Sequence, residues 1–156
     1  MQLFLVRHAN SNFGASTDHQ RPLSQLGLKQ AAQSAEYLKQ SIQSTDVHII
    51  CSDALRTKTT ALIIQQHIKA VNITSNNIYY NARVGEWCDG ISTHKSVGNL
   101  ILVGHNPTMS SLSMHLNPTL VQRFNPSCVA HYELEIQADG LKLPAQLKDF
   151  FKPDAI

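Results

Sequence analysis

Two histidines and three arginines in this chain have the chemistry to transfer a phosphoryl group. His8 and His105 stand just after apolar runs, and Arg7, Arg21 and Arg56 lie at the ends of such runs or in loops. Phosphoryl transfer needs a nucleophile, cations that hold the phosphate oxygens, and a group that stabilises charge as the bond breaks. A guanidinium matches phosphate in a two-pronged contact and stays charged near neutral pH. These residue types therefore predict a phosphate pocket.

The two histidines are suited to different tasks in such a pocket. A histidine nucleophile must be neutral, and the neighbouring Arg7 would lower the pKa of His8. A second histidine beside the same phosphate, here His105, would be favoured as a cation. Arg56 falls in the first turn of a predicted helix, where free N–H groups favour an anion. Ser52, a predicted cap of that helix, could add a hydroxyl donor, although capping alone also explains it.

Alternating strands and helices must bring these residues together. The pattern predicts buried strands at 2–6, 48–51 and 99–104, with helices after Ser24, Ser52 and Pro107. Leu28, Leu55 and Leu62 are assigned to the apolar faces of the first two helices. Ligands of such sheets bind beyond the carboxyl ends of the strands, where Arg7-His8, Ser52–Arg56 and Gly104-His105 fall. We therefore predict a three-layer α/β/α sandwich with a mixed, mostly parallel central sheet.

The remaining segments give weaker patterns. A weak strand is predicted around 78–80, a short helix from about Val84, and an antiparallel or edge strand at 129–136. The tail from Ala138 predicts no element. No repeat or linker is visible, so residues 1–156 are interpreted as a single domain.

Composition restricts the partners. The net charge of +2 among 156 residues is too small to indicate nucleic acid or an anionic membrane as the main partner, and no apolar run is long enough for a membrane span. Three cysteines without a CxxC pair favour a reducing, cytoplasmic setting. The histidines follow no metal-ligand spacing, so no metal or cofactor is predicted.

Four segments occur in this order along the chain: FLVRHAN at 4–10, RPLSQLGLKQA at 21–31, CSDALRTKTTA at 51–61 and LILVGHNPTMSSL at 100–112. The first resembles the Arg-His-Gly signature of the histidine phosphatase superfamily, the phosphoglycerate mutase-like group of enzymes, and the other three resemble its later blocks. Each motif alone is weak, whereas four in order are specific. The short length and the loop from Asp18 to Pro22 resemble the SixA-type phosphohistidine phosphatase branch. One departure is Ala9, which stands where the family usually has glycine.

The resemblance implies a role for each matching residue. His8 would be the nucleophile that becomes phosphorylated; Arg7, Arg56 and His105 would complete the phosphate pocket, and Arg21 would be the additional arginine of the short branch. The substrate would be a phosphohistidine-bearing signalling protein. The alternatives are a small phosphorylated metabolite, cleaved by a phosphomonoesterase of the same superfamily, and a non-catalytic module that binds a phospholigand.

The general acid is left open between Asp18, Glu86 and no acid at all. Asp18 lies in the loop before Arg21, and Glu86 is the candidate by position. A phosphohistidine substrate would relax the requirement, because imidazole departs neutral when its other nitrogen carries a proton. A cysteine-dependent phosphatase is a further alternative, since Cys51 precedes Arg56 near a helix start, with a spacing one residue short of that class's motif.

Overall fold

The computed structural model describes residues 1–69, 71–119 and 123–155. A single six-stranded sheet has the strand order β3-β2-β4-β1-β5-β6. The strands are β1 (Gln2–Arg7), β2 (Val47–Ser52), β3 (Asn72–Asn76), β4 (Asn99–Gly104), β5 (Val129–Gln137) and β6 (Gly140–Phe151). The helices are α1 (Gln25–Ser41), α2 (Leu55–His67), α3 (Val84–Thr93) and α4 (Thr108–Leu116), with short 3-10 turns at Asp18–Gln20 and Asn77–Tyr79. No helix in these ranges has the length and apolar character needed to cross a membrane.

The sheet is mixed and mostly parallel, as predicted. Strand β4 runs parallel to both β1 and β2, and β3 runs parallel to β2, whereas β5 and β6 are antiparallel to their neighbours. Arg7 pairs with Gly104, and Cys51 pairs with Val103. The carboxyl ends of β1, β4 and β2 are therefore side by side, and the segments that leave them start at one edge of the sheet.

Helices cover both faces of the sheet, which confirms the three-layer sandwich. Alternate residues of β1 point to opposite faces, as in any strand. Leu3 and Leu5 belong to a core with α3 and α4, and Phe4 and Val6 belong to a core with α1 and α2. Both cores are built of fully buried side chains, so the sheet is a rigid support for the loops at its carboxyl edge.

The predicted apolar faces of α1 and α2 are partly wrong. Leu28, Leu55 and Leu62 are exposed at 41%, 43% and 48%. The buried residues of α1 include Gln30 and Ser34, and those of α2 include Thr57 and Thr60. These polar side chains are buried because they hydrogen-bond to the loops of the carboxyl edge, as when Asn10 N donates to Gln30 Oε1 at 2.9 Å.

Two predictions near the sheet edges also fail. The segment 78–80 belongs to the turn Asn77–Tyr79 and its C-cap, and the strand lies earlier, at Asn72–Asn76. The tail that predicted no element forms β6, which is the edge strand, so β5 is antiparallel but internal. Both β3 and β6 are edge strands with at most one buried residue each, and such strands show little apolar pattern in their sequences.

Candidate active site

A cavity of about 370 Å³ opens at the carboxyl ends of β1 and β4. It collects six of the residues that the sequence singled out: Arg7, His8, Asp18, Arg21, Arg56 and His105. Four further lining residues were missed: Phe13, Tyr80, Asn81 and Asn106. Asn106 lies beside His105 in a matching block, but the other three lie in loops whose course nothing in the sequence indicates. A larger cavity of about 710 Å³, between β5, β6 and the N-terminus, contains no histidine or arginine.

His8 is held as a neutral ring with one free nitrogen. Its Nδ1 lies 2.8 Å from the carbonyl oxygen of Ala9. A carbonyl only accepts, so Nδ1 carries the proton and Nε2 keeps its lone pair. The pKa of His8 is lowered to about 3, chiefly because the ring is buried, with smaller contributions from His105, Arg56 and Arg7. The arginines therefore lower the pKa of His8, as the sequence predicted, but burial lowers it more.

The backbone that carries His8 is fixed from three sides. His8 N donates to Gly104 O at 3.0 Å, continuing the β1–β4 ladder, and Ala9 N donates to Thr60 Oγ1 on α2 at 3.2 Å. Ser127 N lies 3.0 Å from Arg7 O and 3.1 Å from His8 O. These bonds leave the backbone at His8 little freedom to move.

The His105 ring lies 5.2 Å from the His8 ring, centroid to centroid, at an angle of 60°. Its Nε2 is 2.7 Å from Ser52 Oγ, which is in turn 2.6 Å from Thr57 Oγ1. The pKa of His105 is lowered to about 4, mostly by burial and next by Arg56. The ring is therefore neutral near pH 7 in this structure. The predicted cation refers to a ring beside a bound phosphate, so it stays a prediction.

The structure places Ser52 differently from its prediction. The cap of α2 is Ala54, and Ser52 is fully buried at the end of β2, outside the set of cavity-lining residues. Its hydroxyl meets His105, so any effect of Ser52 on a bound phosphate passes through that ring.

Three guanidinium groups line the cavity. The Nη1 atom of Arg7 donates to Phe124 O at 2.9 Å, while its Nε is buried and has no hydrogen-bond partner among the described residues. Burial lowers the pKa of Arg7. Arg56 donates to both the backbone oxygen and the carboxylate of Asp18, at 2.7 and 3.0 Å. An unpaired buried donor is costly. The guanidinium groups that line the cavity are suited to hold an anion there.

Asp18 is a carboxylate held in its charged form. It accepts hydrogen bonds from Tyr80 Oη, from Arg21 Nη1 at 3.0 Å and from Arg56 Nη2. The bonds from Tyr80 and Arg21 are the main reasons why the pKa of Asp18 lies well below its usual range. The pKa of Tyr80 is raised by the same contact. Asp18 therefore has no proton to give in the free site at neutral pH.

Glu86, the other candidate acid, is not among the cavity-lining residues. It lies in the first turn of α3, 3.9 Å from Arg83 Nε. The adjacent Trp87, which is 1% exposed, is the residue of this turn that packs into the core. Burial of Trp87 fixes the rotation of α3, and Glu86 is left at the surface side of the helix with a side chain 31% exposed.

The structure also shows how Ala9 and Cys51, two residues that the sequence singled out, are placed. Ala9 is fully buried and is not among the residues with positive φ, so this position does not need the conformational freedom of glycine. Cys51 points into the core between the sheet and helices α1 and α2, and burial raises the pKa of its thiol to about 11. A buried, protonated thiol is a poor nucleophile, which excludes Cys51 from the site chemistry.

The described residues contain no group of three or more His, Cys, Asp or Glu side chains that could hold a metal ion. Among the described residues that line the cavity are three guanidinium groups and one carboxylate. An arrangement with this balance is suited to a small anion such as phosphate.

Comparisons with known proteins agree with this geometry. Residues 3–78 match the family model of the histidine phosphatase superfamily (branch 1), a stretch that includes His8, Arg21 and Arg56. An uncharacterized protein of Mycobacterium tuberculosis, MT1313, is 30% identical over 113 residues, which cover 71% of this chain and 69% of that protein.

Solved structures extend the likeness to the whole chain. A candidate phosphohistidine phosphatase SixA from Agrobacterium tumefaciens matches with a TM-score of 0.83 and 26% identity, covering 97% of both chains. The protein histidine phosphatase SixA in complex with tungstate matches with a TM-score of 0.80 and 20% identity, covering 98% of this chain and 97% of that one. Sequence motifs, fold and relatives thus agree, and the chain belongs to the histidine phosphatase superfamily, in its short SixA-type branch.

Proposed function

We propose that this protein is a phosphatase that removes the phosphoryl group from phosphohistidine on a signalling protein, by way of a phosphorylated His8. The observation that carries the proposal is the pair of neutral rings, His8 and His105, 5.2 Å apart in a cavity that three arginines also line. In this proposal the site residues are His8, Arg7, Arg56 and His105, with Arg21 beside them.

The first step forms one bond and breaks one. The lone pair on Nε2 of His8 attacks phosphorus, and the bond from phosphorus to the donor imidazole breaks, its electron pair staying on the donor nitrogen. If the other donor nitrogen carries a proton, the donor leaves as neutral imidazole. Nδ1 of His8 keeps its proton throughout, bonded to Ala9 O. Arginines hold the phosphate oxygens while the charge moves.

The second step returns the enzyme to its starting state. Water attacks phosphorus, the Nε2–P bond breaks, and its electron pair goes back to Nε2 of His8. The protons of the water molecule leave on dihydrogen phosphate, so the balance needs no metal and no further reactant. In the proposed mechanism His105, which contacts Ser52 Oγ at 2.7 Å, stabilises charge on the phosphoryl oxygens in both steps.

The cavity favours a leaving group that needs no proton. Among the described residues that line it, Asp18 is the one carboxylic acid side chain, and hydrogen bonds to Tyr80 and the arginines keep it ionised. An alkoxide requires a general acid to leave, and such an acid contributes on the order of a hundredfold or more. Imidazole protonated on its far nitrogen has no such need. The site therefore supports phosphohistidine over an alkyl phosphate.

The partner follows from the same argument. A phosphohistidine substrate implies a phosphorylated protein domain, and the SixA proteins that match this fold are described by the same activity. The three cysteines, all unpaired, fit a cytoplasmic protein, which we include in the proposal. A small phosphorylated metabolite is the alternative substrate, and a non-catalytic phospholigand module is the alternative role.

Turnover of two substrates tests the proposal. We expect kcat/KM for a phosphohistidine-bearing phosphotransfer domain to exceed that for glycerol phosphate by about a hundredfold or more, since no carboxylic acid that lines the cavity holds a proton. Comparable values would favour the metabolite phosphatase. Phosphate-competitive binding without turnover of either substrate would favour the non-catalytic module.

The variant Asp18→Asn tests whether Asp18 only orients the arginines or also acts as a general acid. If Asp18 only orients the arginines, the variant changes kcat/KM for both substrates by the same factor. A loss confined to glycerol phosphate would show that Asp18 is a general acid. Glu86→Gln is the matched control, because it removes a carboxylate outside the cavity, and we expect it to leave both values unchanged.

A further inference from the structure

We infer that Phe13 is a recognition residue whose open ring face stacks on the imidazole of phosphohistidine, an inference that rests on the proposed function. The residue lies in the loop between β1 and α1 and lines the same cavity as His8 and His105. The phosphoryl chemistry does not need it, so its placement requires a separate explanation.

Exposure sets Phe13 apart from the other apolar side chains. It is 85% exposed, more than any other large hydrophobic side chain in the described part of the chain, where the next value is 54% for Ile78. It is also the one of these exposed residues that lines the cavity. Isolated exposed hydrophobic residues are common, but a ring left open at the mouth of an anion pocket is positioned for a ligand.

The loop that carries Phe13 is fixed on the N-terminal side of the residue, at Ser11 and Asn12. Asn12 N donates to Pro22 O at 2.9 Å, and Asn12 O accepts from Arg21 Nε at 2.9 Å. Ser11 forms an isolated β-bridge with Leu23. The backbone before Phe13 is thus hydrogen-bonded to residues 21–23 at the other end of the same loop. These bonds limit the positions that the ring can take.

One face of the ring is already occupied, and the other is free. The guanidinium carbon of Arg21 lies 4.2 Å from the ring centroid, within the range of a cation–π contact. Arg21 is itself held by Asn12 O, Asp18 Oδ1 and Ser11 Oγ, so it is a fixed base for the ring. With one face on Arg21 and most of the side chain exposed, the opposite face of the ring is open to a ligand.

An imidazole leaving group is the planar group that this site would meet. In phosphohistidine the ring is bonded directly to phosphorus, so a phosphoryl group beside His8 brings the donor ring into the same cavity. Planar rings pack in offset or tilted arrangements with centroids about 4.5–7 Å apart, and an aliphatic alcohol cannot form that contact. Phe13 would therefore select for the leaving group, while the arginines select for phosphate.

The test compares two substrates that share a P–N bond. Free phosphohistidine carries the imidazole ring, and phosphoramidate does not. For Phe13→Ala we expect KM for phosphohistidine to rise about fivefold with kcat little changed, while KM for phosphoramidate stays the same. Phe13→Trp should keep the wild-type KM. Ile78→Ala, which removes an exposed hydrophobic side chain outside the cavity lining, is the control and should change neither value.

The outcomes distinguish this inference from the function on which it rests. Wild-type enzyme that hydrolyses phosphoramidate but not phosphohistidine would overturn both. Wild-type turnover of phosphohistidine, with equal KM changes for the two substrates in Phe13→Ala or none, would overturn only the role of Phe13. An effect seen with a phosphohistidine protein but not with free phosphohistidine would also overturn it, because Phe13 would then contact the protein surface and not the ring.

Discussion

At the scale of single residues, the pKa values of His8 and His105 are lowered to about 3 and about 4, and burial is the larger cause for both. The sequence predicted the direction for His8 from its neighbour Arg7, but it could not show that the ring is only 8% exposed. It also could not show that the Ser52 hydroxyl faces His105, because strand β2 and the segment after β4 meet only in the folded sheet. The sequence therefore identified His8 and His105, but it could not show the burial that lowers their pKa values or the hydrogen bonds that the rings form.

Titration of the His8 ring checks its lowered pKa. Because the folded-state pKa is about 3, we expect the ring to stay neutral from pH 8 to pH 5. The measurement is the NMR signal of the His8 ring CH groups, assigned by comparison with His8→Asn. A midpoint near the ordinary histidine value of about 6.5 would contradict the account, since a protonated ring has no lone pair for attack.

Ser52→Ala tests whether that hydroxyl positions His105. Loss of the 2.7 Å contact should lower kcat about tenfold, the usual size of one hydrogen bond, while KM changes little. Ser113→Ala is the matched control, since Ser113 is equally buried but bonds Tyr132 in the core. An equal loss of kcat in both variants would mean that Ser52 acts only through stability.

At the scale of elements, the site depends on how closely helix α1 approaches the segment after β1. A Cβ on Gly27 would lie 1.9 Å from Asn10 O, so only glycine fits there. Asn10 O also accepts from Ser24 N at 3.0 Å, and Ser24 Oγ caps α1 by accepting from Gly27 N. The start of α1 is thus hydrogen-bonded to the backbone of Asn10, two residues after His8. The Ser24 cap was predicted from its residue type, whereas the close approach of Gly27 was not.

Gly27→Ala should therefore affect both the fold and the reaction. We expect the free energy of unfolding to fall by about 2 kcal/mol, because the backbone at Asn10 must shift, and kcat to fall with it. Urea unfolding and steady-state kinetics measure the two effects. Gly85→Ala is the control: it lies in α3 with open space around it and should raise stability slightly. Full activity in Gly27→Ala would show that this contact does not position His8.

Elements with buried, uniform environments were the predictable ones. Strands β1 and β4 are apolar along most of their length because both faces are covered, and their sequences show it. Strand β6 lies at the sheet edge with mixed exposure and was missed. Helix α2 was predicted, but its buried face was not, since it contains Arg56, Thr57 and Thr60. Strand pairing and hydrogen bonds with distant segments determine both features, and no local sequence pattern shows them.

At the scale of the whole molecule, the neutral rings of His8, which is buried, and His105, which is partly buried, make stability depend on pH. Both rings have a folded-state pKa below the ordinary value of about 6.5, so below that pH the unfolded chain binds more protons. Stability contributed by neutral burial is present above pH 6.5 and is lost as the pH falls toward 4 and then 3. Each histidine adds a slope of at most about 1.4 kcal/mol per pH unit in its window.

His8→Gln should flatten this dependence. Between pH 6.5 and 4.5 we expect the wild-type protein to lose about 2 kcal/mol more of its free energy of unfolding than the variant does, measured by urea unfolding at each pH. The control is His115→Gln, which removes an exposed histidine and leaves His8 and His105 intact. Identical pH dependence in wild type and His8→Gln would mean that His8 is not buried in its neutral form.

Whether phosphorus is carried on His8 can be read from the intact mass of the enzyme during turnover. The protein is mixed with a phosphohistidine domain, quenched in alkaline denaturant to preserve P–N bonds, and its mass is measured before and after peptide mapping. We expect one added phosphoryl group on the peptide that contains His8, and none in His8→Asn. Turnover with no such adduct at any time, or with the phosphoryl group on another residue, would contradict it.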